Sequence, residues 1–97
     1  SMTVDQILQK EIEESKTWLS REKEESIYKR DLKKRIELMN WVLENMKKPN
    51  VRICDLMESR MSETIREINK TYSILEFDKL HSELRILNWI FYQVCSR

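Results

Sequence analysis

IELMNWVLENMKKPN, residues 36 to 50, decides the class of the fold. Ile36, Met39, Leu43 and Met46 recur at three- and four-residue steps, the spacing at which an α-helix lays side chains along one stripe. Leu32 extends that stripe upstream as a heptad seam. The stripe then stops. Lys47 and Lys48 place cations where a helix C-terminus favours them, Pro49 disfavours helical geometry at the residue before it, and Asn50 is a good N-cap. A helix ending at about residue 47 and a reversal at Pro49-Asn50 follow.

Beyond this stretch, turn chemistry is scarce. The 97 residues include no Gly and one Pro, although tight turns and sheet corners depend on both. Charged residues of both signs make up 36% of the chain, with Glu, Lys, Leu, Ile, Arg and Met prominent, which is the palette of long helices. The predicted class is all-α.

Upstream, Thr3 and Gln6 form a capping-box pair, and Leu8, Ile12 and Leu19 continue an apolar stripe. SREKEES, residues 20 to 26, is polar but holds no Gly, Pro, Asn or Asp. Glu25 to Lys29 and Asp31 to Arg35 are favourable i,i+4 pairs, each contributing ~0.2 to 0.5 kcal/mol. This reads as one continuous helix over about 4–47. Such a helix spans about 66 Å at 1.5 Å per residue, too long for the rest of the chain to cover. Residues 4 to 25 are therefore expected to protrude.

Downstream, Cys54, Met57, Met61, Thr64, Ile68, Thr71 and Leu75 share one seam. Phe77, Leu80, Leu84, Leu87, Phe91 and Val94 share another, displaced by about two residues. The phase break falls at residues 71 to 77, where Ser73 and Glu76 form a second capping pair. Helices over about 51–72 and 74–96 follow, joined by a kink or a short turn. The architecture is a long-helix hairpin or a three-helix bundle with coiled-coil character. It forms a single helical domain over 3–97, behind an Ser1-Met2 expression scar.

IELMNWVLENM, residues 36 to 46, also aligns without gaps on LRILNWIFYQV, residues 84 to 94, at an offset of 48. The segments before these do not align, so duplication and chance likeness between two amphipathic helices both stay open.

Net charge excludes several classes of function. Eighteen basic residues against seventeen acidic ones give +1, and the halves either side of Pro49 are each nearly balanced. No global field draws the chain to nucleic acid or membrane. No apolar run approaches the ~20 residues a bilayer span needs. Without Gly there is no P-loop or GxGxxG turn. His81 is the single histidine, and neither Cys54 nor Cys95 has metal-ligand spacing, so no metal, cofactor or catalytic residue is expected. Two cysteines are too few for a disulfide framework, and both read as reduced thiols. The chain reads as a non-enzymatic piece of a larger intracellular protein, cytoplasmic or nuclear. Asn69-Lys70-Thr71 matches the glycosylation acceptor pattern, which matters only in a secreted protein.

Two surfaces remain. Lys29, Arg30, Lys33, Lys34 and Arg35 gather cations that suit an acidic partner or nucleic acid, or simply form a solvated face. The acidic run Glu11 to Glu25 offers a third reading, in which an antiparallel partner pairs acid with base. Trp18 and Leu19 sit in a thinly apolar stretch, while Trp89, Ile90 and Phe91 belong to an apolar face wider than one neighbour covers. A protein-interaction or oligomerisation scaffold, homodimeric through Trp18, Leu19, Trp89, Ile90 and Phe91, is the leading expectation. A helical nucleic-acid-binding element using residues 29 to 35 is the alternative. Membrane-surface binding through residues 89 to 94 is remote, since Arg85 and Arg97 are its only flanking cations.

Overall fold

The computed structural model describes residues 1 to 96; Arg97, the last residue of the expected domain, lies outside them. The described residues form four helices and no strand: α1 Val4–Arg21, α2 Ile27–Met46, α3 Ile53–Lys70 and α4 Ile74–Cys95. They divide into two compact units, one over Ser1–Pro49 and one from Asn50 onward.

In the first unit, Thr3 accepts from the Gln6 backbone amide while the Gln6 side chain accepts from the Thr3 N–H, closing the capping box. The continuous helix expected over 4–47 is two helices. α1 ends at Arg21, and α2 starts after Ser26, whose Oγ accepts from the Lys29 N–H at 3.0 Å. Two local effects favour the break. Glu24 and Glu25 lie just before the start of α2, where the unpaired amides and the dipole of a helix N-terminus favour negative charge. The Thr17 hydroxyl also donates back to the Glu13 carbonyl, which loosens a helix near its end.

The break removes the expected protrusion, because α1 folds back and packs on α2. Leu8 and Ile12 meet a core built on Leu32, Leu38, Met39, Val42 and Leu43. Full burial of a side chain such as Leu8 contributes roughly 1.5 to 3 kcal/mol.

Residues 47 to 52 separate α2 from α3, and the boundary between the units falls at Pro49 and Asn50. Asn50 does not cap α3. Arg52 occupies the N-cap without a side-chain hydrogen bond, and its guanidinium instead pairs with Asp55 at 3.1 Å. In the second unit, α3 ends at Lys70, and Ser73 caps α4 by accepting from the Glu76 N–H. The displaced seams are therefore a full break. α3 packs on α4 over a core of Met57, Leu87 and Ile90.

Cys54, at the start of α3, and Cys95, at the end of α4, are joined in a disulfide with their Cα atoms 5.8 Å apart. The reduced-thiol reading is corrected: an antiparallel helix pair brings its first and last turns together, so residues 41 apart in sequence become neighbours.

The two units are built to one plan. At an offset of 49, Leu8, Ile12 and Ser15 of α1 fall on Met57, Met61 and Thr64 of α3; at 48, Met39 and Val42 of α2 fall on Leu87 and Ile90 of α4. Ser15 and Thr64 are both buried, as are Met39, Val42, Leu87 and Ile90. The gap-free likeness of residues 36–46 to 84–94 is thus accompanied by a likeness of the preceding helices at an offset one residue larger.

Candidate interaction surfaces

A polar bridge joins the two helices of each unit. Arg35 of α2 donates through Nη2 to Glu11 of α1 at 3.0 Å. In the second unit, Arg60 of α3 donates to Glu83 of α4 at 3.1 Å, and the Thr64 hydroxyl lies 3.0 Å from the other oxygen of the same carboxylate. Glu11 of the acidic run and Arg35 of the basic cluster thus pair with each other within the chain.

The five-cation cluster is placed on α2, and each member has an acidic neighbour. Lys29 and Lys33 both approach Glu25, at 3.2 and 3.8 Å. Arg30 contacts Asp31 at 3.1 Å, Lys34 contacts Glu37 at 2.7 Å, and Arg35 holds Glu11. The hydrogen bond from Lys29, with the nearby charge of Lys33, holds the Glu25 carboxyl below the usual carboxylate range. These pairs spend locally much of the positive potential an acidic ligand would need. In α3, Arg66 holds Glu63 low in the same way.

The predicted association residues separate. Trp18 remains 50% exposed near the end of α1, with the Arg21 guanidinium 4.9 Å from its ring centroid, and Leu19 beside it is half-buried. Ile90 is wholly buried in the core of the second unit and presents nothing to a partner, while Trp89 and Phe91 are half-buried. The wide apolar face of α4 is thus partly spent on α3.

Other apolar residues stand exposed near the helix ends. Ile27 and Tyr28 follow the Ser26 cap, at the same end of the first unit as Trp18. Tyr72, Ile74 and Leu75 flank the Ser73 cap, and Ile65 lies exposed one turn before the end of α3. Leu75 is a seam residue that the break at Ser73 leaves exposed, whereas Ile27, Tyr28, Tyr72 and Ile74 lie on no seam and are marked only by standing beside a serine cap.

Among the described residues, no group of His, Cys, Asp and Glu is arranged to hold a metal ion. No described helix is long and apolar enough to cross a membrane. Disulfides persist in oxidising compartments, so the Cys54–Cys95 bond lends the intracellular expectation no support. Comparison of the chain with family models, with curated proteins and with solved structures gives no match.

Proposed function

We propose that this chain is a non-catalytic helical interaction module that associates with a second copy of itself through the end of its first unit, where Trp18, Leu19, Ile27 and Tyr28 cluster about the 22–26 connection. The supporting observation is Trp18: a large aromatic left half exposed on a helix whose apolar stripe is otherwise covered by α2. Trp and Tyr are enriched among the residues that dominate protein interfaces. A second copy offers the same apolar end, so a two-fold arrangement buries both at once with coiled-coil-like packing. Charge supports an apolar contact over an electrostatic one, because the cations of α2 are engaged with carboxylates of their own chain.

Light scattering across a concentration series tests the reading. A mass approaching twice 11.9 kDa, returned to that of one chain by Trp18→Glu with helical circular dichroism unchanged, is the expected outcome. A single-chain mass at every concentration, or a dimer indifferent to Trp18→Glu, overturns it.

A further inference from the structure

We propose that Asn69 is an N-glycosylation site, the acceptor for an oligosaccharide carried on a lipid diphosphate. Two independent observations meet there. The first is local: Asn69-Lys70-Thr71 is an acceptor sequence with no proline at its middle position, and it lies across the end of α3. Asn69 is exposed, and no hydrogen bond engages its side-chain amide among the described residues. The Thr71 oxygen accepts from the Ser73 N–H at 3.2 Å, which leaves the hydroxyl proton available to a transferase.

Placing Asn69 in an extended acceptor conformation unwinds only a last turn in which Asn69 and Lys70 are both exposed. The second observation is the disulfide of the same unit. Disulfides persist in the oxidising compartments where N-glycosylation takes place, so Cys54–Cys95 supplies the context that gives the sequence its meaning.

In the transfer, the Asn69 amide nitrogen forms a bond to the anomeric carbon of the sugar. The bond from that carbon to the diphosphate oxygen breaks, the lipid diphosphate leaves with the electron pair, and one amide proton is released. The product covers apolar surface, since exposed Ile65 lies four residues earlier on the same helical face and exposed Tyr72 follows the acceptor sequence. This proposal is independent of self-association, which uses the other unit.

The test is the native chain, captured by antibody from cells that make it, with free thiols alkylated before digestion. Treatment with peptide N-glycosidase in heavy-oxygen water is expected to convert Asn69 to an aspartate carrying the heavy isotope, on a peptide absent before treatment. An Asn69 peptide recovered unmodified overturns the site, whether the cysteines are linked or alkylated. In a eukaryotic secretory host, Asn69→Gln and Thr71→Ala should each abolish a glycosidase-sensitive mobility shift that Thr71→Ser retains. Secretion of the unsubstituted chain with its disulfide formed and no shift also overturns it.

Discussion

Arg60 on α3 donates to Glu83 on α4 at 3.1 Å, and the bridge at the corresponding place in the first unit carries the opposite polarity, with Glu11 on the first helix and Arg35 on the second. Exchanging helices between the units would set Glu11 against Glu83 and Arg60 against Arg35. Repulsion between like charges adds a penalty to that exchange beyond the short connections that already hold each pair of helices together.

The two bridges should not be equally valuable. Only 14% of the Glu83 side chain is exposed and the Thr64 hydroxyl shares it, whereas Glu11 and Arg35 are each 30% exposed. Glu83→Gln is expected to cost about 1 to 3 kcal/mol, since it removes the negative charge that Arg60 faces in a partly buried site. Glu11→Gln is expected to cost about 0.2 to 1 kcal/mol. Chemical denaturation of the two variants measures the difference, and equal losses would contradict the ranking.

Opening the disulfide should weaken one unit and spare the other. The loop it closes spans 41 positions, for which the chain-entropy account gives about 4 kcal/mol. Amide exchange is the suitable readout because it resolves the units separately. Under reducing conditions, or in Cys95→Ser, protection is expected to fall around Met57, Leu87 and Ile90 and to persist around Leu8, Met39 and Val42. Uniform loss in both cores would argue against two separately stable units.

Acid should loosen the start of α2. Glu25 has a folded-state pKa below that of the unfolded chain because Lys29 and Lys33 favour its charged form. Its contribution is therefore present above the unfolded value and is lost as pH falls through the depressed folded value. The carboxylate is fully exposed, so the effect is local and sensitive to salt. Amide resonances of Lys29 and Arg30 are expected to report fraying on acidification, and Glu25→Gln should remove that pH dependence. A titration unchanged by the substitution would assign the effect elsewhere.

The helical class was legible from the missing glycines and the stripe through Ile36, Met39, Leu43 and Met46, because both report on local backbone preference. Long-range pairing was not. Cys54 and Cys95 become neighbours only when α3 and α4 run antiparallel, and no local spacing carries that information. For the same reason the wide apolar face of α4 did not reveal that Ile90 points into the core while Ile74 and Leu75 remain exposed. Nor was the break after Arg21 legible from the repeat. Ser73 reads as a cap and Ser26 stands in the same place before α2, but the 48-residue offset that aligns residues 36–46 with 84–94 sets Ser73 on Glu25, so the likeness between the halves does not point to Ser26.

Ser26 is therefore the residue on which the first unit's architecture turns. Its Oγ satisfies the Lys29 N–H, one of the amides left without a partner at the start of α2. Without the cap, α2 loses a hydrogen bond and the non-helical state of residues 22 to 26 loses its main advantage over the continuous helix that the sequence otherwise favours. Ser26→Ala is expected to destabilise the first unit by about 0.5 to 2 kcal/mol, and Ser26→Asp, which restores an acceptor and adds a negative charge at the helix start, by much less. Ser20→Ala is the control, because the Ser20 hydroxyl only donates back to the Thr17 carbonyl and caps nothing. Thermal unfolding of the three variants ranks them, and a loss in Ser20→Ala as large as that in Ser26→Ala would mean that the connection is set by something other than the cap.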